Sequence, residues 1–272
     1  MPELPEVQTV VNSLLPHVVG ARFIRVTTLR PDFIVPPGTD LPALLTGRTV
    51  TSIHRRAKRI IFTLDTHQRF LIHLGMTGRV TLHPVGSPPV RHTHVVLAVA
   101  SPVRKSIEIH LCDPRRFGEL RWLGDDTGED GLGYEPLALR PRALAALLAT
   151  SRRPVKSFLL DQAAVAGLGN IYADESLFAA GLHPLTPCNR ITRDQAARLC
   201  RCIKAVIRKA LYHRGSSLRD YVDAEGGKGA FQKLHQVYGR AGKPCRRCRT
   251  PIERIVLSGR STCFCPECQS AA

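Results

Sequence analysis

No aliphatic run in this 272-residue sequence reaches membrane-spanning length: the longest uncharged one, Val95 to Ala100, is far short of the roughly twenty residues a spanning helix needs. The start of the chain carries Glu3 and Glu6 and lacks both a basic n-region and a continuous apolar stretch. No secretory signal is therefore expected, and the expected compartment is the cytoplasm. Internal repeats and low-complexity tracts are absent. Acidic residues are scarce: 22 Asp and Glu stand against 39 Lys and Arg, a net charge of +17. That excess runs along the chain instead of collecting in a tail, which favours a folded nucleic-acid binder; the ordinary alternative is an enzyme that happens to be basic. Charge does not separate DNA from RNA. With 43% hydrophobic and 22% charged residues the chain reads as globular and water-soluble, and its length allows one large domain or two ordinary ones.

Nine cysteines are present, and four of them form Cys245-x2-Cys248 and Cys265-x2-Cys268. Two such pairs present four thiolates to one tetrahedral zinc ion, whose closed shell makes the metal structural. Two surface disulfides are the alternative, disfavoured in a reducing compartment. Cys263 lies two residues before Cys265 and is a competitor for metal or a site of oxidation. Cys112, Cys188, Cys200 and Cys202 read as small hydrophobes, the last two within a helix.

Val7, Val10, Val11, Leu14 and Leu15 fall at helical spacing after Pro5, so a helix opens the chain. From about 22 to 123 short β-type runs alternate with Pro and Gly: 22–27, 59–64, 69–74, 94–100 and 106–112. These predict an antiparallel sandwich. The turn-rich acidic stretch 124–136 is the expected boundary. Beyond it helices are predicted at 143–150, 155–162, 170–181 and 192 to about 213, the last with a Thr192/Gln195 capping box and a stripe of Ala196, Leu199, Ile203, Ile207 and Leu211. Residues 215–229 are polar and Gly-rich and read as a mobile loop. The expected division is 1–130, 131–230 and 231–272, an α+β chain whose β-sandwich is followed by helices and a zinc segment.

Several motifs carry chemistry. Removal of Met1 before the small Pro2 would leave a secondary amine; at a reference pKa of about 7.7, roughly one sixth of such amines are neutral at pH 7, against about four in ten thousand lysines. Glu3 could serve as an acid beside it, with Glu6 one helical turn on; taken alone, both glutamates simply complement the helix dipole. Arg55, Arg56, Lys58 and Arg59 crowd one hairpin, where like charge lowers a lysine's pKa and phosphate would be held, though a solvated basic hairpin is the commoner meaning. Met76, between Gly75 and Gly78, reads as an exposed apolar finger of the kind that wedges into DNA. Asp113 to Gly118 combine guanidinium donors with Phe117, which can stack on a base; an Asp–Arg turn is the ordinary alternative. Gly167, Gly169 and Asn170 open a helix whose backbone N–H groups could receive a phosphate. Residues 240–272 hold seven Arg and Lys against two Glu.

Together PELPEV (2–7), RRAK (55–58), HLGMTG (73–78), DPRRFG (113–118), GLGNIYADE (167–175), QVYGR (236–240) and GRSTCFCPECQ (259–269) resemble the formamidopyrimidine-DNA glycosylase family. The resemblance implies an N-terminal antiparallel β-sandwich with flanking helices, then a helix-two-turns-helix domain and a zinc β-hairpin finger. It implies a bifunctional glycosylase and abasic-site lyase of base excision repair. Such an enzyme excises 8-oxoguanine and formamidopyrimidines from double-stranded DNA and cuts the strand by β,δ-elimination. Pro2 would attack the sugar C1′ to give a Schiff base, Glu3 protonate the opening sugar, Lys58 assist β-elimination, and Arg260 clamp the departing phosphate. Met76 would fill the vacated stack, Arg115 bond the orphaned cytosine and Phe117 wedge beside it. His92, Arg152, Lys156 and Asn170 would contact the DNA backbone, and a loop near 217–228 would close over the damaged base. One structural zinc and no organic cofactor are implied; no membrane partner is expected from the short apolar runs, and a monomer is the default expectation. Two positions depart from the pattern: Ala57 stands where Gly is usual, and Cys263 where an aromatic is common. The alternatives are the sister endonuclease VIII type, which prefers oxidised pyrimidines, and a non-catalytic damage-binding protein.

Overall fold

The computed structural model describes residues 2–100, 105–218 and 221–270. The chain divides into two compact units, Met1–Asp130 with Arg214–Ala230, and Gly131–His213 with Phe231–Ala272. The zinc segment thus belongs with the helices, and residues 214–230, grouped by sequence with the helical segment, make their contacts in the first unit.

The first unit opens with α1 (Leu4–Val18), whose Leu4, Val7, Val10, Val11, Leu14 and Val18 are buried. Each of those aliphatic side chains contributes about 1.5–3 kcal/mol by leaving water. The strands follow as β1 (Arg22–Thr28), β2 (Ile34–Val35), the short α2 (Leu41–Leu45), β3 (Val50–Arg56), β4 (Arg59–Leu64), β5 (Arg69–His73), β6 (Arg79–Pro84), β7 (Thr93–Ala100), β8 (Ile107–Cys112) and β9 (Glu119–Gly124). They form two sheets, ordered β1-β7-β8-β6 and β2-β9-β5-β4-β3. Alternate residues of each strand meet in one core, with Phe23, Leu97, Ile109 and Leu111 from the first sheet and Ile60, Phe62, Phe70 and Ile72 from the second. Phe62 stacks on Phe70 at 4.6 Å. The expected sandwich is present, with one correction to its antiparallel character: β2 pairs parallel with β9, through Ile34↔Leu120 and Val35↔Arg121.

Residues 214–218 and 221–230 are tied down rather than loose. The Ala224 N–H donates to Ser13 Oγ at 3.0 Å, the Ala224 carbonyl accepts from the Leu82 amide at 2.8 Å, and Ala224 itself is buried in the core. Asp223 pairs with Arg214 and accepts the Gly227 amide at 2.7 Å. Positions 219 and 220 of the expected closing loop lie outside the described residues.

The second unit contains α3 (Pro141–Ala149), α4 (Val155–Leu159), α5 (Asn170–Ala180), α6 (Arg193–Tyr212), and the hairpin β10 (Glu253–Leu257) and β11 (Arg260–Phe264). Helix α6 starts at the expected capping box: the Gln195 amide donates to Thr192 Oγ1 at 3.2 Å, and the Thr192 amide donates to Gln195 Oε1 at 2.8 Å. Helix α5 is buried on nearly every side, including Asp174, Glu175 and Ser176, and ends at Gly181 in the left-handed region (φ 63°). Among the described residues no helix is long and apolar enough to cross a membrane.

Candidate active site and nucleic-acid interface

At the head of α1, Pro2 and Glu3 are both buried. The Glu3 amide donates to Glu6 Oε2 at 2.9 Å, and the other carboxylate oxygen, Oε1, accepts the Ser216 amide at 2.7 Å. The Tyr221 hydroxyl donates to the Glu6 carbonyl at 3.1 Å. Glu6 therefore fixes both the turn that carries Glu3 and the start of the 214–230 segment. Gly215 has φ 77°, and a Cβ there would sit 2.6 Å from Glu6 Oε1, so the close approach needs glycine. Sequence placed Glu6 on the same side as Glu3; its partner, 210 positions away, left no local signal.

Helix α1 packs on β3 and β4, whose connecting turn holds Ala57 and Lys58. Ala57 takes φ 53°, a left-handed backbone that favours glycine. The basic run is not a solvated face. Arg55 donates to Gln8 Oε1 at 3.0 Å and to the Ala57 carbonyl at 2.9 Å, which joins the turn to α1. Arg59 donates to the Gly128 carbonyl at 2.5 Å, and Arg56 faces Glu129 at 3.6 Å. Lys58 is 9% exposed, and His73, whose ring nitrogen is pushed toward its neutral form chiefly by burial, feels the Lys58 charge.

The Met76 and Phe117 turns are built against each other. The fully buried Asp113 accepts the Thr77 hydroxyl at 2.5 Å, the Arg115 amide at 3.2 Å and the Gly118 amide at 2.7 Å. A Cβ on Gly75 would lie 2.4 Å from the Phe117 carbonyl carbon. Held in this way, Met76 and Phe117 remain 41% and 56% exposed, and the Arg115 guanidinium lies 4.9 Å from the Phe117 ring centre. His92 is exposed at φ 69° and its carbonyl accepts the Asp113 amide at 3.0 Å. All four expected DNA-contact residues of this unit are thus gathered around one carboxylate.

In the second unit Arg152 and Arg260 are exposed. Lys156, expected on the DNA backbone, is instead fully buried: its ammonium donates to the Ser261 carbonyl at 3.0 Å and to Thr262 Oγ1 at 2.7 Å, and pairs with Asp174 at 2.6 Å. Asn170 Nδ2 donates to the same Ser261 carbonyl at 2.8 Å. Burial pushes the Asp174 carboxyl up to about 7 against the opposing pull of Lys156. The neighbouring Glu175 carboxylate accepts the amides of Gln236, Val237 and Tyr238 at 2.9 to 3.0 Å, anchoring residues 236–238 to α5. Both acids lie in the GLGNIYADE segment, where their long-range partners leave no local signal.

The sulfurs of Cys245, Cys248, Cys265 and Cys268 all lie within 4.8 Å of one another. Separations of 3.4 Å for Cys248–Cys265 and 4.0 Å for Cys245–Cys268 bracket the spacing of about 3.8 Å that a tetrahedron with 2.3 Å zinc–sulfur bonds requires. The cluster suits one structural zinc ion. Cys263 is buried and gives its amide to Asp174 Oδ2 at 3.0 Å.

Pro2 and Glu3 at the head of α1, the exposed Met76, Arg115 and Phe117, and four clustered cysteines are the features expected of a zinc-finger DNA glycosylase. Family models match in chain order: the formamidopyrimidine-DNA glycosylase N-terminal domain over residues 1–120, its H2TH domain over 132–222, and the zinc finger found in FPG and IleRS over 242–271. The formamidopyrimidine-DNA glycosylase of Gluconobacter oxydans is 46% identical, covering 99% of this chain and 100% of its own, and that of Chloroflexus aggregans is 42% identical, covering 99% and 98%. Among solved structures, Lactococcus lactis Fpg with N7-benzyl-Fapy-dG DNA is similar at TM-score 0.92 and 34% identity, and the same enzyme with abasic-site DNA at 0.91 and 33%, each covering 99% of this chain and 100% of the other. The chain belongs to the formamidopyrimidine-DNA glycosylase family, base-excision-repair enzymes that join DNA glycosylase to abasic-site lyase activity.

Proposed function

We propose that this protein excises oxidised purines, chiefly 8-oxoguanine and formamidopyrimidines, from double-stranded DNA, working as a cytoplasmic monomer on the nucleoid. The reading is supported above all by the buried Pro2–Glu3 pair at the head of a helix that packs on the hairpin carrying Lys58. After Met1 is removed, the Pro2 nitrogen attacks C1′ and the bond from C1′ to the base breaks, the base leaving with a proton. Glu3 protonates the sugar oxygen as the ring opens to the iminium. Lys58 assists loss of the C2′ proton, which expels the 3′-phosphate. A second elimination expels the 5′-phosphate, whose charge Arg260 receives; as a guanidinium it stays protonated and acts as an electrostatic clamp. Water then releases the sugar remnant and regenerates the amine.

Met76, Arg115 and Phe117 occupy the gap left by the everted nucleotide, offsetting an unstacking cost of a few kcal/mol. His92, Arg152 and Asn170 serve the DNA backbone. Zinc, held by the four cysteines, fixes the finger.

The test is borohydride trapping on a duplex carrying 8-oxoguanine opposite cytosine, with an undamaged duplex and an oxidised-pyrimidine duplex alongside. A lesion-dependent adduct mapped to Pro2, lost in Pro2→Gly, is expected. Binding without adduct or cutting would make this a damage-binding protein, and a preference for the pyrimidine lesion would move it to the endonuclease VIII type.

A further inference from the structure

The β10–β11 hairpin turns through Ser258 and Gly259, at φ 50° and 71°, with Leu257 paired to Arg260. Positive φ at both central residues marks a two-residue loop of the kind that suits the strand twist. A two-stranded hairpin alone is marginal in water, so a side chain at its tip has no fixed place unless the strands are held from outside. Here the grip falls on the residues around Arg260. The Ser261 carbonyl takes two donors, Lys156 Nζ at 3.0 Å and Asn170 Nδ2 at 2.8 Å. Thr262 Oγ1 takes a second Lys156 bond at 2.7 Å, Cys263 gives its amide to Asp174 at 3.0 Å, and Ser157 meets Ser258 at 3.1 Å across the turn. Lys156 and Asp174 are both fully buried and 2.6 Å apart.

A buried ion pair is a poor source of stability, because removing both charges from water costs about as much as their attraction returns. What it supplies is one geometry: the ammonium satisfies its donors only when β11 lies in this register. We infer that Lys156 is a positioning residue for the strand-cutting step, acting through Ser261 and Thr262 to hold Arg260 at the phosphate, with Asp174 fixing Lys156. Lys156 does not itself touch DNA. The inference rests on the reading of Arg260 as the clamp for the second elimination.

The experiment uses the full-length zinc-loaded enzyme on an abasic-site duplex and reads the ratio of 3′-phosphate ends, from the second elimination on the neighbouring fragment, to unsaturated-aldehyde ends from the first. Three variants are compared: Arg260→Ala, the paired Lys156→Met/Asp174→Asn, which leaves no charge alone, and all three substitutions together. Each must retain one zinc per chain. The pair should lower the ratio about tenfold, and in the Arg260→Ala background it should lower it no further. An additional loss in that background would mean that Lys156 meets phosphate on its own, and an unchanged ratio would mean that it has no part in this step; either overturns the inference. If Arg260→Ala leaves the ratio intact, the reading of Arg260 fails first and the inference falls with it. Should the paired variant lose zinc, Thr262→Val, which keeps both charges and removes one Lys156 bond, decides by the same comparison.

Discussion

Asp113 and Thr77, 36 positions apart, share a 2.5 Å hydrogen bond that joins the Met76 turn to the Arg115–Phe117 turn. Hydrogen bonds to a charged group contribute about 1.5–3 kcal/mol, and Asp113 is fully buried. Thr77→Val should therefore slow excision at least tenfold through misplacement of Met76 and Phe117, while Pro2 and the zinc site stay intact. Single-turnover excision kinetics check this; a rate equal to wild type would separate the two turns functionally.

Gly75 tests the same junction through the backbone. Its φ of 58° and a Cβ position 2.4 Å from the Phe117 carbonyl carbon make Gly75→Ala costly, about 2–4 kcal/mol. Gly86 has φ 84° with nothing within 4 Å, so Gly86→Ala should cost only about 1 kcal/mol. Chemical denaturation of both variants measures the difference.

Glu6 holds Glu3 with one oxygen and Ser216 with the other. In Glu6→Gln a side-chain NH2 group must face one of those amide donors. Amide hydrogen exchange at Ser216 should accelerate, and excision should fall about tenfold for a bond of this class. Unchanged exchange would show that the 214–218 segment is held by other contacts.

His235 is buried between Phe231 and Tyr238, and burial lowers its pKa from 6.5 to about 4. The unfolded chain binds this proton below pH 6.5 and the folded one only near pH 4. Stability is therefore complete above pH 6.5 and declines as pH falls to about 4, by on the order of 3 kcal/mol. His235→Phe should lose less stability over that window, as read from denaturation midpoints at pH 7 and pH 4.5.

Zinc removal should act locally. With the four cysteines confined to the second unit, chelation should weaken DNA binding and leave the thermal transition of the first unit in place. Loss of both transitions would refute a local role.

Sequence alone determined the features whose physics is local. The Cys-x2-Cys pairs bring four sulfurs together because each pair sits on one tight turn, and Thr192 with Gln195 starts α6 because the cap closes within four residues. The Met76 and Phe117 turns were legible from their glycines, and α1 from its valines. Tertiary structure decided the rest. The two-residue β2 is too short to show a period of two, so its parallel pairing with β9 was invisible. The polar composition of 215–229 reads as a loose loop, yet Glu6, Ser13 and Leu82 bind its backbone into the first unit. Lys156 looks in sequence like any exposed cation near DNA. Only the fold places Asp174, on another helix, and Ser261 and Thr262, about a hundred positions on, around it, since such contacts depend on chain path and leave no mark on local composition or spacing.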